Sequence, residues 1–472
     1  MKKHLINAAK HVHTKIQAHR EAAGSWQNLL LRSSLTLTLT SGMSYVLGLV
    51  RDKTFAYTFG AGPALDIYNS AFVVPDFLFA VLVSGALAAA FVPIFTSLDE
   101  TSRAKAIVYT NQVLSYTLIL LSVFSVVFGI FLPYLAPYLV PGFDPAQRAT
   151  YVTITRYLLV APFFFTFSNT FGNALLSTKD FLWYGLAPVL YNVGIVIGIF
   201  ILVPIFGLSG LVYGTVFGAA LHMLIRAQAF WRQGFRPQIN FKFSPELKET
   251  LLLMLPKMLQ IGMWQIMLLW FILLASKSGE GSVTTYNFAY NFQSVPVSLI
   301  GLAIALASFA NLSHLSAHKE YSTFAILVKK ETIRILLITS AAAIALAAIS
   351  HPLVSILLGG GKFTPQAVNA TAFLISVYAF SVPLESLMHL LTRAHYALKN
   401  TWRPSLIHIG AILFSIALSG ALLPIVGLYA LPIAFSSGFG VQCIFLGISL
   451  WHVLKMKRAS AAALELSLPE GI

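Results

Sequence analysis

Residues 41–95 read SGMSYVLGLVRDKTFAYTFGAGPALDIYNSAFVVPDFLFAVLVSGALAAAFVPIF, two apolar segments joined by a short stretch that carries Arg51, Asp52, Lys53 and Asp66. An ionisable group at membrane depth is costly unless it is paired or faces water, so charges set in such apolar sequence are candidate functional groups. The whole chain shares this character. Of its 472 residues 57% are hydrophobic and 10% charged, with a mean hydropathy of +0.78, whereas an ordinary soluble domain carries about 25% charged residues. That composition describes an all-α polytopic membrane protein. The one cysteine, Cys443, lies in an apolar run, which excludes an internal disulfide and a thiolate metal cluster.

A formal net charge of +15 invites a nucleic-acid reading, but the placement of the charge argues against one. Lys and Arg fall between the apolar runs instead of gathering on one soluble face. Residues 1–28, with Lys2, Lys3, Lys10, Lys15 and Arg20, precede the first long apolar run, so they read as a basic cytoplasmic extension and not as a secretory signal. Two forms fit that extension: an amphipathic helix on the anionic inner leaflet, or a basic tail.

Counting apolar runs of roughly 20 residues predicts about twelve spans. They centre on residues 29–50, 67–97, 107–140, 150–176, 182–204, 208–229, 250–275, 286–314, 331–358, 367–392, 402–423 and 427–454. With a cytoplasmic N-terminus, the inner loops hold Arg103 and Lys105, Lys179, the group Arg226 to Lys248, the group Lys319 to Arg334, the group Arg393 to Arg403, and Lys455 to Arg458. The outer segments keep Arg51, Lys53, Arg148, Arg156, Lys277 and Lys362. The positive-inside rule therefore places both termini in the cytoplasm and requires an even number of spans.

The chain also repeats itself at an offset of about 220 residues, which points to two similar lobes and not to a solenoid. Val74-Pro75 matches Val295-Pro296, GFDP ending at Pro145 matches GKFTP ending at Pro365, Lys179-Asp180 matches Lys399-Asn400, and PIFGLSGLVYG from Pro204 matches PIVGLYALPIA from Pro424. Six spans per repeat keep both lobes in one orientation, related by an axis along the membrane normal, the arrangement of an alternating-access transporter. The expected organisation is a six-helix lobe over 29–229, a basic linker over 230–249, a second six-helix lobe over 250–458 and a short cytoplasmic tail over 459–472.

Several segments together resemble one family. VLGLVRD (Val46 to Asp52), FGAG followed by Asp66, SGALAAAFVPIF (Ser84 to Phe95), the Gln265 to Ser276 stretch with its following GSV, Val295-Pro296 and GKFT (Gly361 to Thr364) are similar to the MurJ family, also called MviN. That family comprises the lipid II flippases of bacterial cell-wall synthesis, within the multidrug/oligosaccharidyl-lipid/polysaccharide transporter superfamily. The resemblance implies a two-lobed helical transporter in the bacterial cytoplasmic membrane. Its cargo would be an undecaprenyl-pyrophosphate-linked precursor, and cell-wall synthesis proteins would be its partners. A pyrophosphate headgroup needs cations and hydrogen-bond donors in a shielded space. By resemblance Arg51 occupies a cavity position in the first span, with Asp52 beside it, and Asp66 falls on the acidic position after the FGAG turn. Two alternatives remain: Arg51 and Asp52 as interfacial anchors of the first helix, and Asp66 as the N-cap that opens the second span.

Elsewhere the sequence departs from the family pattern. Tyr45 stands where a second arginine is usual, Phe79 and Ala80 replace a basic pair, Ser84 replaces a glutamate, and Asn291 and Ser294 replace an arginine and a glutamate in the eighth span. Neither Asn, Tyr nor Phe reproduces the planar, permanently charged fork that suits phosphate. After the twelfth span, Ala459 to Ile472 is too short for another crossing, so the two further spans that form a lipid-tail groove in many family members are not expected. Lys257, near the start of the seventh span, either snorkels to the interface or serves the cavity together with Asn291. Glu385, in VPLESLMHLLTRAH, is turn-spaced with His389 and Arg393, which suits a salt-bridge ladder or, alternatively, proton or sodium coupling. His222, His351 and His408 read as structural.

No catalytic triad, Walker loop or metal-ligand spacing is present in the sequence. A non-enzymatic transporter without cofactor is expected, driven by membrane potential, H+ or Na+. Three readings follow: a lipid II flippase, a cation-coupled exporter of another lipid or small molecule, and a non-transporting membrane scaffold.

Overall fold

The computed structural model describes residues 35–467, so the expected extension over 1–28 and the start of the first span lie outside the described residues. The chain opens with α1 (residues 35–59), α2 (Pro63–Ala71), α3 (Val73–Phe79), α4 (Gly85–Thr101) and α5 (Arg103–Leu139). It continues through α6 (Pro145–Leu158), α7 (Ala161–Ser177), α8 (Phe181–Ile197), α9 (Val203–Phe206) and α10 (Leu208–Arg232). The second half holds α11 (Pro245–Lys277), α12 (Ser282–Pro296), α13 (Leu302–Ala317) and α14 (Tyr321–Leu357), then α15 (Pro365–Tyr378), α16 (Ser381–Ala397), α17 (Trp402–Val426) and α18 (Ala430–Ser467). The tail expected from residue 459 thus begins as a continuation of α18.

Nine stretches among the described residues are long and apolar enough to cross a membrane, or ten if the bent pair α15 and α16 is one span. The expected twelve are not reproduced by that count. Two of them, 402–423 and 427–454, fall within a single stretch, Trp402–Ala459. That stretch folds back on itself at Gly427, so that Ser415 of α17 lies against Gly438 of α18. Length and hydropathy alone cannot register a reversal that costs only three residues of turn.

The repeat seen in the sequence recurs in the backbone. α5 and α14 each have 37 residues, α6 and α15 each have 14, and α7 and α16 each have 17. Both members of the α6/α15 pair begin with Pro at the first helical position, where its missing N–H costs nothing. Each is capped by the preceding side chain. Asp144 accepts from the backbone N–H groups of Ala146 and Gln147 at 2.8 and 2.9 Å, and Thr364 accepts from Ala367 at 3.3 Å. Lys179 and Lys399 both adopt left-handed backbone, at φ 63° and 59°. Gly207 and Gly427 likewise share φ values of 58° and 60°, a conformation that glycine adopts without the strain of a Cβ. Short π-helical segments interrupt the helices at Ala80–Ser84, Gly198–Leu202 and Val297–Gly301; such segments mark points where a helix departs from regular hydrogen bonding.

By internal contacts the described residues form two compact units that interleave along the chain. The first takes the described residues up to Arg51, then Leu87–Leu118 and Phe163–Leu251. Within it α8 and α10 approach at glycine faces: a Cβ on Gly194 would lie 2.3 Å from the Cα of Gly218, the close backbone contact that small residues permit in membranes. Stacked rings of Phe91, Tyr109, Phe95, Phe235, Phe230 and Phe171 fill its core. The residues after α10 run back along α5, held by Asn111 Nδ2 to the carbonyl of Arg236 at 3.1 Å, by the Asn240 N–H to Ser115 Oγ at 2.9 Å, and by the Tyr116 hydroxyl to the carbonyl of Phe241 at 2.8 Å.

The second unit takes Asp52–Ala86, Ile119–Pro162 and the described residues from Leu252 onward. Its interior holds Tyr286, Tyr290, Tyr378 and Phe435, with ring centroids 5.6 to 6.3 Å apart.

Candidate functional site

Within the second unit three sequence motifs that are far apart in the chain meet at one cluster of turns. The FGAG turn at Phe59–Gly62 lies against GKFT at Gly361–Thr364 and against the turn that begins α12 at Gly281. The Lys362 N–H donates to the carbonyl of Tyr57 at 3.0 Å. Lys53 Nζ donates to the carbonyls of Gly359 and Ile356. Gly60, at φ +72°, sits so close that a Cβ there would lie 2.3 Å from the Lys362 carbonyl oxygen. No side chain fits that space.

Asp66 locks the cluster. It is 2% exposed, and its Oδ2 accepts the Gly281 N–H at 2.6 Å while Oδ1 accepts the N–H and hydroxyl of Thr284 at 2.8 and 2.7 Å. The carboxylate therefore satisfies orphan donors at the start of α12, where the helix dipole favours negative charge. The expectation that Asp66 caps its own span is corrected: α2 has Gly62 at its N-cap with no side-chain bond, and Asp66, already inside α2, points to a helix more than 200 residues away. Sequence spacing shows a cap to its own helix; it cannot show one in trans.

Arg51 belongs to the first unit and Asp52 to the second, so the boundary falls inside the Arg-Asp pair. Arg51 Nη1 donates to Asn192 Oδ1 of α8 at 3.1 Å, and Asn192 Nδ2 in turn donates to the carbonyl of Ser44 at 3.3 Å. Asp52 is buried at 8% exposure. Asn291 is exposed on α12, and Lys257 is half-buried with Nζ donating to Gln260 Oε1 at 3.2 Å.

The expected salt-bridge ladder on α16 is not formed. Glu385 Oε2 instead accepts from Gln293 Nε2 of α12 at 2.8 Å, and Arg393 Nη1 donates to the carbonyl of His389 at 3.1 Å. Helical spacing made an ion pair geometrically available, but a fully buried amide from a neighbouring helix took the carboxylate first. The histidines hold local bonds: Ser168 Oγ lies 2.7 Å from His222 Nδ1, and His351 Nε2 lies 3.0 Å from Asn369 Oδ1.

Sequence reasoning did not select Thr284, Asn192 or Gln293, the neutral partners of the three charged groups. Each is a neutral hydrogen-bonding side chain, and Thr284 and Gln293 lie among other polar residues in SVTTYNFAYNFQSVP, so nothing in the sequence singles them out. Arg226, expected among the inner-loop cations, lies instead within α10 at 4% exposure, with Nη2 donating to the Tyr184 carbonyl at 2.9 Å.

Spanning helices, a duplicated backbone and buried ionisable groups held by neutral partners define a polytopic membrane transporter. A family model described as "Lipid II flippase MurJ" matches residues 55–467. Among curated relatives, the probable lipid II flippase MurJ of Bdellovibrio bacteriovorus is 26% identical over 413 residues, covering 86% of this chain and 79% of that protein. The lipid II flippase MurJ of Burkholderia cenocepacia is 25% identical, covering 89% and 84%. A solved lipid II flippase MurJ in an inward closed conformation shares the fold with a TM-score of 0.77 at 20% identity, over 93% of this chain and 94% of that one. An inward-facing MATE family multidrug resistance transporter of the MOP superfamily shares it with a TM-score of 0.73 at 16% identity, over 88% and 96%. The chain belongs to the lipid II flippase MurJ family and is a multi-pass membrane protein.

Proposed function

We propose that this chain carries lipid II, the undecaprenyl-pyrophosphate-linked peptidoglycan precursor, from the inner to the outer leaflet of the bacterial cytoplasmic membrane by alternating access. The observation that supports this most directly is the turn cluster around Asp66. A carrier needs a closure that can form and be undone, and a carboxylate accepting three short hydrogen bonds from a helix start is such a closure. The Lys and Arg distribution supports cytoplasmic termini, which makes this cluster the outer closure. In this reading the sequence repeats, 29–229 and 250–458, are the lobes that alternate. Arg51, Asp52, Asn291 and Lys257 serve the headgroup, and the membrane, the lipid-linked precursor and cell-wall synthesis proteins are the partners.

Complementation tests the proposal. In a strain depleted of its own lipid II flippase, the wild-type chain restores growth and Asp66→Ala does not. Failure of the wild type to rescue, with membrane expression confirmed, overturns the reading. A second reading, cation-coupled export of another lipid or small molecule, draws on Glu385, whose carboxylate has a neutral amide as its hydrogen-bond partner. Efflux that depends on a proton or sodium gradient, with no rescue of the depleted strain, would select it.

A further inference from the structure

Within the first unit, the non-helical strap that follows α10 turns polar groups toward α5 and leaves apolar side chains uncovered. The Gln238 N–H donates to Asn111 Oδ1 at 3.1 Å, the Asn240 N–H to Ser115 Oγ at 2.9 Å, and Ser244 Oγ to Gln112 Oε1 at 2.8 Å. Asn111, Gln112 and Ser115 are all buried. The residues between and after these inward donors, Ile239, Phe241 and Phe243, are exposed by 81, 52 and 58%. The Tyr116 ring meets both phenylalanines edge-on, its centroid 6.1 Å from Phe241 and 6.0 Å from Phe243. Arg236 and Lys242 beside them are exposed as well, and residues 181–245 hold no acid.

The depth of this patch follows from α5. Its 37 residues make a helix about 55 Å long, against a hydrocarbon core of about 30 Å. Residues 118–139 carry no charge and fill that core, so Asn111 to Tyr116 lie at the boundary between hydrocarbon and headgroups on the Arg103 side, which the Lys and Arg distribution makes cytoplasmic. An aromatic ring such as Tyr116 is favoured at that level. Ile239, Phe241 and Phe243 share it, because the strap is bonded to α5 there. Apolar side chains next to cations at this depth meet lipid: acyl chains take the rings, and the phosphates complement Arg236 and Lys242. We propose that Ile239, Phe241 and Phe243 form an interfacial anchor that inserts into the cytoplasmic leaflet, so that the strap joining the two sequence repeats is held by the bilayer as well as by α5. Insertion depends on the membrane crossing of α5 and not on the identity of the cargo.

The test places a nitroxide on Ile239→Cys, Phe241→Cys or Phe243→Cys, one at a time, in the full chain carrying Cys443→Ala, within nanodiscs of phosphatidylcholine and phosphatidylglycerol. Collisions with oxygen, which concentrates in hydrocarbon, are compared with collisions with a water-soluble nickel chelate. The expected oxygen-to-nickel ratio is severalfold higher at all three positions than at Glu320→Cys, an exposed position in the turn before α14. Ratios equal to that at Glu320→Cys overturn the anchor and leave the patch as a water-facing surface for a soluble partner. Phe241→Asp/Phe243→Asp, read by the label on Ile239→Cys, should lower the ratio severalfold. An unchanged ratio there would mean that the label inserts without the rings, which also overturns the anchor. Where Cys443→Ala does not fold, Cys443→Ser takes its place and the outcomes are read in the same way.

Discussion

Asp66 of α2 accepts the backbone N–H of Gly281 at 2.6 Å, so a carboxylate near the start of the chain caps a helix in its second half. The bond joins residues 215 positions apart, and it explains why an acid survives in so apolar a segment. Its charge is matched by helix-start N–H groups and a hydroxyl and needs no lysine or arginine.

Asp66→Ala leaves the Gly281 and Thr284 donors buried without a partner, at a cost of about 2 kcal/mol or more. The expected outcome is a lower thermal unfolding midpoint in detergent. Asp66→Asn should fall between, because its carbonyl still accepts from Thr284 while its amide opposes the Gly281 N–H. An Asp66→Ala midpoint equal to wild type would sink the cap.

Gly60 and Gly207 separate crowding from backbone strain. Both have positive φ, but a Cβ on Gly207 meets nothing within 4 Å whereas one on Gly60 meets the Lys362 carbonyl. Gly207→Ala should cost about 1 to 3 kcal/mol from strain alone, and Gly60→Ala more, with the turn cluster displaced. Equal midpoints for the two variants would contradict the close approach.

Arg51 and Asn192 should be coupled energetically. In a double-mutant cycle of Arg51→Met, Asn192→Leu and their combination, unfolding midpoints should reveal a coupling of about 1 kcal/mol, as expected for a charged group bonded to an amide at partial exposure. Strict additivity would mean that the bond at 3.1 Å contributes nothing.

Glu385→Gln keeps an acceptor for Gln293 and removes the ionisable group. Folding should be unaffected, since the bond at 2.8 Å survives in neutral form. Any dependence of transport on a proton or sodium gradient should vanish. Gradient dependence identical to wild type, measured in proteoliposomes, would exclude Glu385 from coupling.

Much of the fold was legible because membrane constraints act locally: helices must satisfy their own backbone, so apolar runs and the Pro and Gly residues that end them locate most spans. The repeat was legible for the same reason, since Lys179 and Lys399, or Gly207 and Gly427, hold matching backbone angles at matching positions. Charged candidates were legible by their cost. Their partners were not, because Thr284, Asn192 and Gln293 are neutral and carry no such cost signal. Glu385 shows the consequence: i, i+4 spacing suggested His389, but a different helix supplied Gln293.

The sequence by itself determined that this is a polytopic helical membrane protein with an internal repeat and MurJ-like motifs, since hydropathy, Pro and Gly placement and motif order are properties of short segments. Tertiary structure alone decided that the FGAG turn, the α12 start and GKFT form one cluster, that Asp66 locks it, and that Gln293 of α12 takes the Glu385 carboxylate of α16. Hydrogen bonds and charge pairing act over a few ångströms of space, and residues hundreds of positions apart come within that range only when the helices pack.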